Sequence, residues 1–406
     1  MNWPDHAIWW HVYPLGFLGK RKLPALADWL DHVLELGCNG LMLGPVFASE
    51  SHGYDTTDHF RVDPRLGTED DLVALIDQAR SRGVRVMLDG VFNHVGRSYG
   101  HREWWIPEGD DYRVFEGHRS LVVLDHANPA VADHVTGVLD YWTERGVDAW
   151  RLDAAYAVPR PFWRTVTDRT RAKHPGVWFS GEVIHGDYDA YVSEGGLDTV
   201  TQYELWKAIW SSLNDVNPHE LAWTLGRHNE LLETFAPQTF VGNHDVTRIA
   251  SRLTEPGHLP HALAVLFTVG GVPSIYAGDE RGWQGVKEER EGGDDAIRPE
   301  FPPIPDGLGD DGLDIQRLHQ LLIGIRRRHP WLVRAQAEVH TLGDGVLAYT
   351  LKAQENAVAV ALNFGDRRAA AKLPPAAWTH EAGEATINPD GTADLPPLGW
   401  TVASTA

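Results

Sequence analysis

The sequence has little of several features that would place it in a special class of protein. It contains one cysteine, Cys38, among 406 residues, so an intramolecular disulfide cannot form. It has no run of about 20 apolar residues, which a membrane-spanning helix would need. Basic residues are few, 36 against 57 acidic ones, and the formal net charge at pH 7 is −21. Because such a charge repels DNA and anionic membranes, we expect neither as a partner.

The length and composition indicate one large globular domain with a smaller second one. A chain of 406 residues is too long for one small core, and its hydrophobic content of 43% allows a substantial core. The first six residues, Met1–His6, carry no basic start and no apolar run of the signal-peptide kind, so we expect a cytoplasmic protein. Seventeen tryptophans are present, and their flat faces suit sugar rings as well as a protein core.

Short apolar runs alternate with helical patterns from residue 8 to about residue 330. Segments with a period near 3.6 lie between most of the runs, as in Glu69–Arg82, Val131–Arg145 and Leu259–Val269. Eight strand–helix units over this length are typical of a parallel (β/α)8 barrel. A doubly wound open sheet is the alternative fold, but the sequence lacks the Gly-x-Gly-x-x-Gly turn that would support it. The candidate strands are Ala7–Tyr13, Gly40–Gly44, Val84–Asp89, Val147–Asp153, Val177–Glu182, Leu197–Tyr203, Thr239–Gly242 and Val272–Tyr276.

The pattern divides the chain into an α/β barrel over residues 1–330 and a C-terminal domain over residues 331–406. The connection after the third strand is long, which predicts a short insert at about residues 95–123. After Trp331 the pattern changes, and Val346–Leu351 and Ala357–Asn363 are predicted strands of a small antiparallel β-domain. The segment Glu288–Asp311 is charged and rich in glycine and proline, which predicts a long surface loop.

Acidic residues and histidines close four of the candidate strands. Because the C-terminal ends of barrel strands share one rim, residues distant in sequence would converge there on one pocket. Taken singly, each charged residue is as easily explained by a helix cap or a buried ion pair. Four in strand order favour an active site, since a buried charge needs a partner or a task. The four segments are Asp89-Gly-Val-Phe-Asn93-His94, Arg151-Leu-Asp153, Gly181-Glu182 and Gly242-Asn243-His244-Asp245.

These four segments resemble the signature regions of the α-amylase family of glycoside hydrolases. A fifth segment, His52-Gly53-Tyr54-Asp55, also matches, and the resemblance extends over nearly the whole chain. It implies a (β/α)8 barrel with a short insert after strand three and a C-terminal β-domain. Further matching segments are Gly44-Pro45-Val46-Phe47, Arg65-Leu66-Gly67-Thr68 and Ile275-Tyr276-Ala277-Gly278-Asp279-Glu280.

The resemblance implies a retaining mechanism that uses two carboxyl groups. Asp153 would be the nucleophile that forms a covalent glycosyl intermediate, and Glu182 the general acid/base. In retaining enzymes the two carboxyl groups are about 5–5.5 Å apart. Asp245 matches the family's third carboxylate, which grips sugar hydroxyls and stabilises the transition state.

The resemblance also implies roles in substrate binding for five residues around these carboxylates. Tyr54 would stack under the sugar at the cleaved bond. His94 and His244 would bind hydroxyl groups. Asp89 would support the nucleophile and Arg151, and Arg151 would keep Asp153 ionised by its opposite charge.

We expect no metal and no cofactor. Calcium is common in the family, and Asn93 matches one of its ligands, but Val123 stands where the family's second ligand is usually an aspartate, and Asp125 stands where an asparagine is common. Four histidines are candidate zinc ligands, and their spacing fits no zinc signature. They are His52, His101, His118 and His126.

Departures from the family pattern narrow the substrate. Endo-acting α-amylases carry Lys-His shortly after the nucleophile, as a contact for the chain beyond the cut, whereas this sequence has Tyr156-Ala157. Ala154 after the nucleophile goes with α-1,4 bonds in exo-acting relatives. Pro161–Arg164 and Gly181–His185 resemble the cyclodextrinase, neopullulanase and maltogenic amylase branch. Enzymes of that branch carry an N-terminal β-domain used in dimerisation, and this chain begins at strand one, so we expect a partial match. The oligomeric state stays open.

We therefore expect a hydrolase that acts on α-1,4 bonds of short malto-oligosaccharides or cyclodextrins, with a neutral oligosaccharide as its partner. An exo-acting α-glucosidase or a glucosyltransferase is the alternative, because water and sugar compete for the same intermediate. A non-catalytic carbohydrate-binding barrel would lack the nucleophile or the acid, and here both are present. An aldolase or isomerase barrel would need a lysine at a strand end, and no candidate strand ends in one.

Overall fold

The computed structural model describes residues 3–290 and 292–405. The chain forms two compact units. Unit A comprises Trp9–Thr201 and Arg298–Gly309, and unit B comprises Met1–Ile8, Gln202–Ile297 and Asp310–Ala406. In the part of the chain that the structure describes, no helix has the length and apolar character needed to cross a membrane.

Unit A contains six parallel strands that pair in chain order, from β1 to β6. Every residue of β1, β2, β4 and β5 is buried, which explains why these strands are continuous apolar runs rather than alternating ones. The first five strands lie within the predicted segments apart from one terminal residue. The strands are β1 Trp9–Val12, β2 Gly40–Leu43, β3 Arg85–Gly90, β4 Ala149–Leu152, β5 Trp178–Gly181 and β6 Thr199–Val200.

The helices of unit A begin where the sequence offers capping groups. Thr68 and Asp71 form a reciprocal capping box at the start of α3, and Asn128 caps α4 with a proline at its first position. These caps fix the beginnings of two helices that the periodicity predicts within two residues. The helices are α1 Pro14–Leu18, α2 Leu30–Leu36, α3 Glu69–Ser81, α4 Pro129–Glu144, α5 Arg160–Lys173 and α6 Tyr188–Ser193.

Two excursions leave the strand–helix pattern of unit A. A hairpin of Phe47–Ser49 and Thr56–Val62 follows β2. The segment between β3 and α4 contains short antiparallel strands, which are His94–Gly96, Pro107–Glu108, Asp111–Tyr112, Val114–Phe115 and His118–Val123. Short 3-10 helices complete the unit at Leu23–Trp29, Arg102–Trp104, Ala155–Ala157 and Pro305–Leu308.

Unit B contains two further parallel strands, β7 Gln238–Thr239 and β8 Val272–Tyr276. The structure thus describes eight parallel strands in all, the number of a (β/α)8 barrel. Strand β7 lies at the start of its predicted segment, and β6 is only two residues long because Tyr203 already begins a helix. The helices of unit B are α7 Tyr203–Asn214, α8 His219–Thr234, α9 Ile249–Arg252, α10 Leu259–Thr268 and α11 Leu313–Arg328, and its 3-10 helices are Trp3–His6, Pro256–His258, Asp279–Arg281, Asp295–Ile297 and Pro330–Arg334.

The C-terminal part of unit B forms an antiparallel sheet in the order β9-β10-β11-β15-β13, beside the pair β12–β14. Two buried histidines of this unit, His258 and His261, hydrogen-bond to the carbonyls of Phe364 and Asn363 at 2.9 and 3.0 Å. The predicted C-terminal β-domain is confirmed as a fold, and its boundary at residue 330 stays a prediction. The strands are β9 Ala337–Gly343, β10 Val346–Ala353, β11 Asn356–Asn363, β12 Ala369–Lys372, β13 Trp378–Gly383, β14 Thr392–Leu395 and β15 Trp400–Thr405.

The predicted surface loop Glu288–Asp311 contains two buried anchors, which corrects that prediction. Ile297 is fully buried in unit B, and Phe301 is buried in unit A. The ring of Phe301 stacks on Phe17 with centroids 4.2 Å apart and meets Trp29 edge-on at 5.5 Å. Such apolar anchors hold a segment whose composition by itself resembles that of a solvated loop.

Candidate functional site

The strand register of unit A brings acidic residues from three strands side by side. Arg151 on β4 pairs with Asp89 on β3, and the Asp153 N–H donates to the Gly90 carbonyl at 3.0 Å. The Glu182 N–H in turn donates to the Leu152 carbonyl at 2.9 Å. Because parallel strands in register end at the same level, Asp89, Asp153 and Glu182 lie next to one another at the carboxyl end of the sheet.

Arg151 connects the three carboxylates. Its Nη1 donates to Asp89 at 2.9 and 2.7 Å and to Asp153 Oδ1 at 3.0 Å. Its Nη2 lies 2.7 Å from Glu182 Oε1. All four side chains are buried, so these charge-assisted contacts are little screened by solvent. One guanidinium therefore holds both predicted reacting carboxylates, and the predicted separation of about 5–5.5 Å between them stays a prediction.

The balance of charge in this cluster is negative, with three carboxylates around one arginine. Burial raises the pKa of Asp89 to about 6, although Arg151 and the Tyr54 hydroxyl act in the opposite direction. Burial by itself lowers the pKa of Arg151, but Asp89, Glu182, Tyr54 and Asp153 together raise it well above its usual range. Arg151 thus remains charged, and its field opposes the rise that burial causes in the pKa of Asp89.

A strained residue follows the predicted nucleophile. Ala154 has φ of 44°, in the left-handed region that costs a non-glycine residue about 1–2 kcal/mol. Its backbone N–H points at Glu182 and donates to Oε2 at 2.9 Å. Glu182 is therefore held by Arg151 on one oxygen and by the Ala154 amide on the other. Strain of this kind persists where the surroundings determine the backbone, as they do here.

Tyr54 lies beside the cluster on the hairpin loop after β2. Its hydroxyl donates to Asp89 Oδ2 at 3.1 Å, and its ring centre is 6.0 Å from the guanidinium carbon of Arg151. The loop is fixed by buried Asp55, which accepts from the Ser51 N–H and hydroxyl at 3.1 and 2.5 Å. The ring is half-buried, so part of it remains available to a ligand.

His94 lies near the second carboxylate oxygen of Asp153, Oδ2, whereas Arg151 Nη1 contacts Oδ1. Its Nε2 is 3.8 Å from Asp153 Oδ2, and it has no hydrogen-bond partner among the residues that the structure describes. Asn93 Nδ2 lies 3.1 Å from His94 Nδ1, and a hydrogen bond donated by that amide would leave the ring hydrogen on Nε2. Burial lowers the pKa of His94 to about 3, so the ring is neutral. A buried N–H without a partner suits a substrate hydroxyl.

Sequence reasoning missed two residues near Arg151. Buried His11 on β1 has its pKa lowered to about 3 by burial and then by the positive charges of Arg151 and Arg298. Arg298 stacks over the ring of Tyr13 at 4.5 Å, and the Tyr13 hydroxyl donates to the His52 carbonyl at 2.7 Å. A histidine inside an apolar strand was the available signal for His11. Arg298 gave none, because its position depends on the buried anchor three residues later.

The two remaining predicted residues, His244 and Asp245, lie together in unit B after β7. His244 is buried with Nε2 3.1 Å from Asp245 Oδ2, and Asp245 is 28% exposed on its side chain, so it is open to a ligand. Asn243 orders the turn, because its amide bonds the Tyr203 hydroxyl at 2.9 Å and its oxygen accepts from the Asp245 N–H at 2.8 Å. A side chain at Gly242 would come within 2.2 Å of Asp279, which explains the glycine.

The described residues contain no group of three or more His, Cys, Asp or Glu side chains that could hold a metal ion. Asn93, the residue that matches a family calcium ligand, uses its side-chain amide on His94. Cys38 is buried. The prediction that the protein needs no cofactor stays a prediction.

Comparisons with known proteins give the family and relatives of this chain. The family model described as the alpha amylase catalytic domain matches residues 22–104 and 97–311. Alpha-amylase 2 of Dictyoglomus thermophilum is 26% identical over 404 residues, which cover 90% of this chain and 70% of that relative. A cyclomaltodextrinase of Geobacillus thermopakistaniensis is 31% identical over 307 residues, or 67% of this chain, and the chain spans 51% of that relative's length.

A solved structure also shares the fold. The debranching enzyme of Nostoc punctiforme, in a crystal soaked with acarbose, has a TM-score of 0.86 and 24% identity over 100% of this chain and 99% of its own. This likeness confirms the predicted (β/α)8 barrel with a C-terminal β-domain. The family match spans most of the chain and contains the predicted site residues. The chain therefore belongs to the alpha-amylase family of glycoside hydrolases.

Proposed function

We propose that this protein hydrolyses α-1,4-glucosidic bonds of short malto-oligosaccharides or cyclodextrins with retention of configuration. The observation that carries the proposal is the buried cluster in which Arg151 contacts both Asp153 and Glu182. A glycosidic bond breaks through an oxocarbenium-like transition state, which needs an acid on the leaving oxygen and a carboxylate at the anomeric carbon. The cluster supplies two carboxyl groups and a fixed positive charge to orient them.

The reaction would proceed in two steps. In the first, an Asp153 oxygen forms a bond to C1 of the sugar, the bond from C1 to the glycosidic oxygen breaks, and Glu182 gives its proton to that oxygen. In the second, an acceptor oxygen bonds to C1, the bond from C1 to Asp153 breaks, and the acceptor's proton passes to Glu182. His94 would bind a hydroxyl of the sugar through Nε2, and Tyr54 would stack under the ring.

Asp245 and His244 complete the proposed set of sugar-binding residues. Their motif matches the family's third carboxylate and its neighbouring histidine. The partial exposure of Asp245 is compatible with a hydrogen bond to sugar hydroxyls. We assign Asp245 to transition-state stabilisation. Its carboxylate would accept hydrogen bonds from sugar hydroxyls, and these hydrogen bonds become stronger as the sugar ring becomes positively charged.

The proposed substrate class follows the departures in the sequence and the relative's name. Tyr156-Ala157 replaces the Lys-His contacts for a longer chain, and a cyclomaltodextrinase is 31% identical to the matched part. Another relative is named alpha-amylase, so endo-action on polymer is the competing substrate pattern. An exo-acting α-glucosidase or a glucosyltransferase uses the same cluster and differs only in the binding of neighbouring sugars. The cytoplasmic location predicted above belongs to this proposal as well.

Product analysis tests the proposal. The purified chain is incubated with maltose, maltotriose, cyclodextrin, isomaltose, trehalose, sucrose and pullulan, and the first products are followed by NMR. We expect cleavage of α-1,4 bonds with an α-anomeric first product, and kcat/KM that is highest on short chains or small rings. A β-anomeric first product would contradict the retaining mechanism. A steady rise of kcat/KM from maltose to amylose would contradict the short-substrate assignment.

A further inference from the structure

The insert of unit A ends in a hairpin whose turn carries an unexpected residue. Strands Val114–Phe115 and His118–Val123 pair antiparallel, and Glu116 and Gly117 connect them. Both turn residues have positive φ, 47° and 82°, as a two-residue hairpin turn of this type requires. Glycine or asparagine adopts this backbone at less cost than glutamate. A glutamate in this position indicates that an interaction of its side chain offsets the backbone strain.

That partner is Tyr156, three residues after the predicted nucleophile. The Tyr156 hydroxyl donates to Glu116 Oε1 at 2.6 Å. Burial raises the pKa of the phenol, and the hydrogen bond to Glu116 raises it further, so the hydroxyl stays protonated and remains a donor. The backbone of Tyr156 is also fixed, because the Tyr191 hydroxyl donates to the Tyr156 carbonyl at 2.9 Å.

The contacts of this pair place it on the leaving-group side of the cluster. The backbone N–H of Tyr156 donates to the backbone carbonyl of Glu182 at 3.3 Å, and Glu182 is the residue whose side chain is proposed to protonate the leaving oxygen. The Tyr156 ring lies 6.0 Å from His185, centre to centre. These links put Tyr156 beside the segment of Glu182, and its ring also lies 6.3 Å from that of Phe115, centre to centre.

The same hairpin turn reaches the nucleophile through a stack of two rings. Phe115 lies on His94 with centroids 4.7 Å apart and planes 14° from parallel. His94 Nε2 is 3.8 Å from Asp153 Oδ2. The turn is thus fixed at one point beside the nucleophile, through Phe115, and at a second point through Glu116, which accepts from Tyr156. A hydrogen bond between the turn and Tyr156 therefore joins the two sides of the cluster.

We propose that the Glu116–Tyr156 hydrogen bond closes the leaving-group side of the site and determines both the length of the leaving group and the choice of acceptor. The proposal rests on the function proposed above. Where endo-acting family members have polar contacts for the chain beyond the cut, this protein has a phenol tied to the insert. The closed wall encloses one sugar ring and obstructs a longer chain.

The consequence for acceptor choice follows from the second step of the reaction. The bond from C1 to Asp153 breaks while the acceptor oxygen bonds to C1 and loses its proton to Glu182. Water as acceptor gives hydrolysis, and a sugar hydroxyl gives a longer oligosaccharide. A wall that holds one ring against Glu182 favours the sugar, since it lowers the entropy cost of orienting that acceptor.

Two substitutions test this proposal without removing the reacting groups. Tyr156→Phe removes only the hydroxyl, and Glu116→Gly removes the carboxylate while it relieves the left-handed backbone. Two control variants in the same insert are Tyr112→Phe and Glu108→Gln. Tyr112 packs edge-on against Trp105, and Glu108 is exposed beside Arg113. We expect both test variants to keep the fold of the hairpin. Circular dichroism and thermal unfolding check this.

For both test variants we expect the ratio of kcat/KM on maltoheptaose to that on maltotriose to rise about fivefold, the factor that one lost hydrogen bond produces. The ratio of transfer to hydrolysis at high maltotriose concentration should fall by a similar factor. The control variants should keep both ratios of the wild type. Unchanged ratios in Tyr156→Phe and Glu116→Gly would overturn the proposal.

The failure of the proposed function is distinguishable from the failure of this inference. A wild-type protein without activity on any α-glucan would contradict the proposed function. Calorimetric titration of the same variants with maltose and maltoheptaose then decides the inference on its own. A change in the ratio of the two dissociation constants in the test variants supports the closed wall, and an unchanged ratio contradicts it.

Discussion

Two buried arginines, Arg151 on β4 in unit A and Arg248 at the start of α9 in unit B, have different surroundings. Arg248 contacts one carboxylate, Asp279 at 2.7 Å, together with the carbonyls of Ala277 and Ile297 at 3.0 Å each. Arg151 contacts three carboxylates and is outnumbered by negative charge. Arg248 therefore belongs to a balanced pair that joins segments of the chain, whereas Arg151 leaves carboxylates available for chemistry.

The difference shows why a buried ion pair at a strand end is weak evidence for a function. Asp279 is as buried as Asp89, and burial raises the pKa of each to about 6. The guanidinium of Arg248 stacks 4.4 Å from the ring of Tyr276, so even its face is occupied by protein. The excess of carboxylates over arginine separates the site from the structural pair.

The largest effect that the comparison predicts is the loss of turnover in the Arg151 cluster. Asp153→Asn and Glu182→Gln should each lower kcat by about 10³-fold or more, because each removes a group that takes part in bond making or proton transfer. The melting temperature should change little. Steady-state kinetics on maltotriose checks this, with exposed Asp110→Asn as the matched control. Near-normal turnover in either variant would remove that residue from the mechanism.

The second prediction concerns the balanced pair. Asp279→Asn should lower the free energy of unfolding by about 3 kcal/mol, since it leaves Arg248 as a buried charge without a counter-ion. Activity of the folded protein should stay within a few-fold of the wild type. Urea unfolding and kinetics on the same sample separate the two quantities. A large loss of kcat with normal stability would show that the two arginine sites do not differ as described.

Part of the Arg151 cluster is predictable from the sequence, and the contrast with Arg248 is not. Strands are apolar and end in acids, so Asp89, Asp153 and Glu182 are correctly placed at one edge of a sheet from the sequence alone. The left-handed backbone of Ala154 and the hydrogen bond between Glu116 and Tyr156 depend on contacts between segments far apart in the chain. Local periodicity does not predict such contacts. The burial of Phe301 was missed for the same reason, because its neighbours Phe17 and Trp29 lie 284 and 272 residues earlier in the chain.

The third prediction concerns pH. Burial lowers the folded-state pKa of several histidines to about 3 or 4, below the unfolded value of 6.5. As the pH falls below 6.5, the unfolded chain binds protons that the folded chain does not, so stability is lost. Asp89 and Asp279 act in the opposite sense, because their contribution is present below pH 3.8 and is lost as the pH rises through 6. The histidines concerned are His11, His59, His94, His134, His228 and His261.

Because more histidines than aspartates are involved, we expect the melting temperature to fall by several degrees between pH 7 and pH 5. Calorimetry over this range measures it. His59→Asn should flatten the slope of melting temperature against pH, and exposed His219→Asn should leave the slope as it is. A melting temperature that rises toward pH 5 would contradict the neutral, buried state of these rings.

The smallest expected effect is that of metal removal. The negative charges of the Arg151 cluster are balanced in part by Arg151 itself, and Val123 stands in place of a family calcium ligand. Treatment with EDTA followed by dialysis should leave kcat and the melting temperature unchanged. A fall in kcat or melting temperature that calcium reverses and magnesium does not would contradict this prediction. It would show that a cation contributes to the surroundings of Arg151 or of Arg248.

The most direct test of the central claim is to trap the covalent intermediate. The wild-type protein is treated with 5-fluoro-α-D-glucosyl fluoride, in which the ring fluorine slows the second step, and the digested protein is examined by mass spectrometry. We expect one glycosyl group on the peptide that contains Asp153 and none after Asp153→Asn. A label on another carboxylate, or turnover of the reagent without any labelled peptide under acid quench, would contradict Asp153 as the nucleophile.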